Sequence, residues 1–284
     1  MLVFVTSLRH PRNSADYGRV EALLTETLGS IARQTSAEHH TIVVGNREPA
    51  APLGPQATFV PVDFPPPVQD EGPQFDLGRF VWDKGTKIGI GLAAARAHDP
   101  DHVMIVDADD FVHRDVAALS AAHPGADGWF VDEGYIYSRA RQAYRVQQRL
   151  FRVCGTCYVV SWPAYNVPDD LAVTASQDEV AEAFGERLGA ILGAHRNARR
   201  WLNAHGWRLE PMPFRGSVYQ VDTGENHSGK QLRGLARPLD RELVESFGIP
   251  RLAPRGIALA RAWAPTQLPY TVRERARRRQ RAKG

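Results

Sequence analysis

Lysine is scarce in this 284-residue chain. Only Lys84, Lys87, Lys230 and Lys283 occur among 35 basic residues, so arginine carries nearly all the positive charge. Cysteine is scarcer, with Cys154 and Cys157 alone. That excludes a disulfide-built scaffold, and a chain this long can bury a core without one. The Cys-x-x-Cys spacing has no further ligands at zinc-site intervals. It runs into Tyr158-Val159-Val160 rather than opening a helix, so it reads as two buried, reduced thiols. There are no internal repeats. The opening Met1–Thr6 run has no leading basic residues and is too short for a signal peptide or a membrane span. It is expected to be a first buried strand in a cytoplasmic protein, peripheral at the inner membrane face if anything holds it there.

What is present is ordinary for a globular enzyme: 43% hydrophobic and 24% charged residues, with a formal net charge of +3. The positive excess comes largely from residues 273–283, which are densely basic. Such a run suits contact with an anionic membrane surface; the competing reading is a solvated terminus, and no nucleic-acid partner is expected.

The first 130 residues alternate strand and helix signals. Residues 2–6, 41–44, 58–62 and 102–106 read as strands. Residues 19–34 and 86–98 read as helices with apolar faces at helical spacing. Pro65-Pro66-Pro67 opens a long polar loop that reaches about Phe80. A helix over 114–122 and a strand over 128–131 follow. This rhythm predicts an α/β fold with a mostly parallel sheet and helices on both faces. Later, 144–151 reads as helix or strand, 155–161 and 217–221 as strands, and 177–205 as a helical stretch broken near Gly193. The expected organisation is a domain over 1–234, with a nucleotide-binding half (1–127) and an acceptor half (128–234). A C-terminal helical or irregular extension with the basic tail covers 235–284.

Asp107-Ala108-Asp109-Asp110 ends the apolar strand 102–106. In open α/β sheets, ligands bind beyond the carboxyl ends of the strands. Three neighbouring carboxylates repel one another and lose solvation if left unpaired. A divalent cation removes that conflict, and Mg²⁺ or Mn²⁺ typically takes one or two carboxylates plus substrate phosphates. In extended backbone the i, i+2 spacing puts Asp107 and Asp109 on one side. The competing reading, that Asp109 and Asp110 cap the next helix, accounts for one aspartate and leaves the others unexplained.

This segment resembles the DxD segment of GT-A glycosyltransferases, the family 2 type in particular. Thr27–Thr35, Thr41–Asn46, Lys84–Lys87 with Gly89–Ala95, and Cys154–Val160 are similar to that family's other segments, in the same order. The resemblance covers roughly residues 1–165 and thins from there to His227. It implies a GT-A fold and transfer of a sugar from a nucleoside diphosphate to an acceptor hydroxyl, with inversion. It also implies a Mn²⁺ or Mg²⁺ cofactor and a metal set of Asp107, Asp109 and the late His227. The donor would be UDP- or GDP-linked. The acceptor would be a glycan or lipid-linked intermediate of a bacterial polysaccharide. Nucleotide-sugar contacts would come from Thr6, Ser7 and Arg9 after the first strand, from Asn46 after the second, and from Asp107-Ala108. The family's usual aspartate after the second strand is replaced here by Gly45-Asn46.

Lys84 and Lys87 are expected at a helix N-terminus, where free N–H groups and the helix dipole favour phosphate. Lys230 would meet the diphosphate as a point charge. For the general base, the candidates are Asp178 and Glu179 at a helix start, or Glu133 at the end of the strand after the acidic cluster. His195 reads as structural. Two rival functions remain: a Mg²⁺ phosphohydrolase with an aspartate nucleophile, and a non-catalytic binder acting through the basic tail.

Overall fold

The computed structural model describes residues 1–69, 77–225 and 229–272. The chain runs β1 (Leu2–Ser7), α1 (Tyr17–Ile31), β2 (His39–Gly45), β3 (Ala57–Pro61), α2 (Leu77–Ala95), β4 (His102–Asp107), β5 (Phe111–Val112) and α3 (Val116–Ala122). It continues with β6 (Gly128–Phe130), β7 (Glu133–Ser138), β8 (Ala143–Gln148), β9 (Tyr158–Ser161), α4 (Gln177–Phe184), α5 (Ala198–Ala204), β10 (Glu210–Pro211) and β11 (Ser217–Val221). β12 (Arg237–Pro238), α6 (Arg241–Phe247) and α7 (Arg255–Ala262) complete it. The fold is mixed α/β, with a largely parallel central sheet flanked by helices.

That seven-stranded sheet has the order β10-β6-β9-β4-β1-β2-β3. β3, β2, β1 and β4 are mutually parallel, and β9 is antiparallel to β4 and β6. β1 and β4 read as unbroken apolar runs because both faces are covered; Leu2 to Val5 and Val103 to Val106 are buried. Asp16 caps α1 by accepting from the Arg19 N–H. Val20, Leu23, Leu24, Leu28 and Ile31 form its buried face, each contributing about 1.5–3 kcal/mol.

α2 departs from expectation. It is in place by Leu77, so Lys84 and Lys87 lie in mid-helix, where backbone N–H groups are already bonded and offer nothing to a phosphate. Its glycines answer to close packing. A Cβ at Gly89 would stand 2.4 Å from Val180 of α4, and one at Gly91 would stand 2.3 Å from Val5 of β1.

A second sheet, order β12-β8-β7-β11-β5, was not expected. It packs Phe111, Tyr135, Tyr137, Tyr144 and Val218 against Leu243 and Phe247 of α6. The ambiguous stretch from Tyr144 is strand β8, paired antiparallel with β7. The helical stretch 177–205 is three pieces, broken after Phe184 by left-handed Gly185 (φ 53°) and again after a π turn at Leu188–Leu192.

Candidate functional site

Register brings the site together. Ser7 at the end of β1 pairs with Val44 of β2 on one side and with Asp107 of β4 on the other. The carboxyl ends of three parallel strands therefore share one edge, and the acidic turn sits on it.

The turn is held from below. The Asp107 N–H donates to Thr156 Oγ1 at 2.9 Å, and that hydroxyl donates to Asp110 Oδ2 at 2.7 Å. Asp110 is fully buried and also accepts from the Gln220 N–H at 3.0 Å and from Cys154 Sγ at 3.2 Å. The Gln220 amide donates to the Asp109 carbonyl at 3.0 Å. Asp110 is thus committed to the fold, and burial together with Cys154, Asp109 and Asp107 raises its pKa well above the carboxylate range. Both cysteines are free and buried, as their sequence context implied.

Asp107 is 28% exposed and bonded through Oδ1 to Lys84 Nζ, itself 24% exposed. Burial pushes the Asp107 pKa up, but the Lys84 charge and hydrogen bond outweigh it and hold the group below its ordinary value. Gly155 is required here, because a Cβ would stand 2.5 Å from Asp107 Oδ2. Asp109 is shifted the other way. Burial first, and the Asp107 charge second, raise its pKa to about 7, against the pull of Arg9 and Lys84. Ala108 packs on the cluster of Leu8, Tyr17 and Val43.

The cationic side of the site has four members in different states. Arg9 donates to Glu225 Oε2 at 3.0 Å, and the pair is nearly buried. Glu225 also accepts from the Ala15 and Asp16 N–H groups at 3.1 and 2.9 Å, so the loop before residue 226 is pinned to the entry of α1. Lys230 donates to the Val153 carbonyl at 3.3 Å and lies 5.3 Å from the Tyr219 ring. Lys84 faces Asp107, as above. Lys87 is the exception: it is fully buried, bonded to Asp83 at 2.9 Å and to the Leu8 carbonyl at 3.0 Å. Its expected phosphate contact is replaced by a structural ion pair that fixes the turn after β1.

Other expected contacts divide in the same way. Thr6 is fully buried within the sheet, so its hydroxyl is not offered to the edge, whereas Ser7 is partly exposed. Asn46 donates to the Phe64 carbonyl at 2.7 Å, and its Oδ1 is buried without a hydrogen-bond partner. His227 lies outside the described residues.

The three candidate bases are elsewhere or occupied. Glu179 closes a capping box with Ser176, and both it and Asp178 are solvent-exposed. Glu133 is bonded to Arg215 and Gln148. It also lies four residues along β7 from Tyr137, the partner of Gln220. That is about 13 Å of strand from the acidic turn, because the second sheet carries Glu133 away from β4. His195, read as structural, lies closer to the site. It lines a cavity of about 20 Å³ with Lys84, Gly155 and Tyr158, room for one water. Burial, then the Lys84 charge, lowers its pKa to about 4.

The donor set fits a divalent cation. Asp107 and Asp109 are oxygen ligands in mutual conflict, and an ammonium already stands in as counter-charge to one of them. Among the described residues no three His, Cys, Asp or Glu side chains converge on one point, so remaining ligands would come from substrate or from undescribed residues.

No family model and no curated protein matches the sequence. Several solved structures do. A 1–349 fragment of TarS from S. aureus is 12% identical with a TM-score of 0.40, over 77% of this chain and 60% of that one. A 2-C-methyl-D-erythritol 4-phosphate cytidylyltransferase from Thermus thermophilus is 12% identical with a TM-score of 0.36, over 92% and 98%. Galactosyltransferase LgtC, in complex with donor and acceptor sugar analogues, is 10% identical with a TM-score of 0.35, over 78% and 87%. The chain spans 60% and 36% of the two TarS structures it matches.

Proposed function

We propose that this protein is a glycosyltransferase of the GT-A type that moves a sugar from a nucleoside diphosphate to an acceptor hydroxyl. The observation that carries the reading is the pairing of Asp107 and Asp109 at the shared carboxyl edge of β1, β2 and β4, with Lys84 bonded to Asp107 and the Arg9 charge acting on Asp109. An edge of this kind is where open α/β sheets take phosphate-bearing ligands. Mixed charge at the edge suits a diphosphate, which needs cations around it and a counter-ion between itself and the acids.

Asp107 and Asp109 would hold Mn²⁺ or Mg²⁺, which supplies Lewis-acid stabilisation of the leaving diphosphate. The chain's own residues do the rest. Thr156 and Gln220 hold the backbone of a turn that the Asp110 N–H closes on the Asp107 carbonyl at 3.1 Å, in place of the extended segment expected from the i, i+2 spacing. Gly155, without a Cβ, lets the Asp107 carboxylate pack against its backbone. Lys84 keeps Asp107 ionised. Lys230 and Arg9 add positive potential, and Asn46 stands at the strand edge where a base edge would be read. The acceptor is a glycan or a lipid-linked sugar, and inversion follows from the family 2 resemblance.

A nucleotide-release screen over UDP- and GDP-sugars tests the reading. Asp109→Ala is expected to abolish release with at least one active donor while the protein stays folded. Undiminished release by the variant would refute it.

A further inference from the structure

Among the described residues, nine large hydrophobic side chains are exposed, and seven of them fall within 252–272. Trp263 is 64% exposed and Val272 66%, with Leu252, Ile257, Leu259 and Leu268 between about half and two-fifths exposed. α7 explains the pattern. It turns Ala258 and Ala262 inward and leaves Leu259 and Trp263, one helical turn apart, on its outer side. A soluble surface scatters such residues singly; a run of them in one segment marks a contact site.

The charge around this segment points to the partner. Residues 252–272 contain Arg255 and Arg261 and no acid. Residues 273–284 follow directly, with seven basic residues against one glutamate. Residues 1–251 have 26 basic and 31 acidic residues and are net negative. The positive charge is therefore concentrated immediately after the exposed apolar residues in the sequence. A tryptophan with neighbouring leucines beside an arginine cluster matches the interface of an anionic bilayer, with the apolar group at the acyl boundary and the cations among headgroups.

We propose that residues 252–272 form a docking surface for an anionic lipid bilayer, to which the basic sequence following them contributes charge. The surface is tied to the candidate site. The Arg141 guanidinium donates to the carbonyls of Gly234 at 2.9 Å and Ala262 at 3.0 Å, and also to those of Leu232 and Arg261. The Gly234 N–H donates to Gln267 at 2.9 Å and the Leu235 N–H to Thr271 at 2.8 Å. The loop that carries Lys230 and the docking segment are thereby one bracket. If the sugar-transfer reading holds, the bracket ties the Lys230 loop to the bilayer-facing segment and favours a lipid-linked acceptor; docking itself does not depend on that reading.

Sedimentation with vesicles tests it. The full chain is expected to pellet with phosphatidylcholine vesicles containing about 30% phosphatidylglycerol and to stay in solution with pure phosphatidylcholine. Leu259→Ser/Trp263→Ser, at exposed positions, should weaken pelleting about tenfold with an unchanged melting temperature. A chain ending at Val272 should lose the preference for anionic vesicles. Several results would overturn the proposal: no pelleting of the intact chain, equal pelleting with neutral vesicles, or pelleting of the double variant like wild type. So would binding to RNA in place of vesicles. Nucleotide release, measured on the same samples, reports separately on sugar transfer.

Discussion

Asp109 makes the metal-free protein sensitive to alkali, and the size of the effect follows from its surroundings. Its pKa rises from the ordinary 3.8 to about 7 in the fold because burial and the Asp107 charge both oppose ionisation. A carboxyl with a raised folded pKa contributes stability at low pH and loses it as pH climbs from its unfolded value through its folded one. At 1.36 kcal/mol per unit, the loss approaches about 4 kcal/mol above pH 8, of which more than half falls between pH 5 and pH 8. For a chain of this size that corresponds to a drop of roughly 5–10 °C in melting temperature. Asp109→Asn, neutral at every pH, removes this component. In EDTA the variant should match wild type near pH 4 and melt higher at pH 8. The His195 titration cancels in the difference between the two proteins, whereas Asp110 loses the Asp109 charge that helps raise its own pKa and so adds to the difference in the same direction. Scanning calorimetry across pH measures it. A wild-type minus variant difference that does not change with pH, or a variant less stable at pH 8, would refute the reasoning.

Lys87→Met leaves Asp83 and the Leu8 carbonyl without their buried partner and should cost about 3–5 kcal/mol in denaturant unfolding, an effect no phosphate ligand rescues. Gly155→Ala, whose Cβ would stand 2.5 Å from Asp107 Oδ2, should displace that carboxylate and lower turnover at least tenfold. Glu179→Ala should cost about 1 kcal/mol of stability through the lost capping box and leave transfer intact; a large fall in turnover would return Glu179 to the active site.

The parallel core was legible because its cause is local. β1 and β4 are apolar on both faces, and an apolar run that stops at three acids shows its end and its chemistry together. The second sheet was not, because Tyr135 and Tyr137 are buried by Phe247, a residue more than 100 positions away that no window along the chain connects to them. The start of α2 was hidden behind a proline-rich, polar stretch. That misplaced Lys84 and Lys87 at a helix terminus, although their i, i+3 spacing still put one on the site edge and the other beneath it. Within the site, Asp107 and Asp109 were readable as residues. The groups that position them were not. Gln220 meets Asp110 across 110 residues, and Glu225 meets Arg9 across 216. The one available signal was Thr156 between two buried cysteines, a polar residue in a segment that otherwise reads as core.

The most direct measurement of the central claim is an electron paramagnetic resonance titration of Mn²⁺ with UDP and with GDP, using wild type, Asp107→Ala and Asp109→Ala. The free-ion signal should fall when wild-type protein and one of the nucleotides are present together, and persist with either variant. Equal loss of signal in all three proteins, or none with wild type and either nucleotide, would contradict a cation-bridged diphosphate at the end of β4.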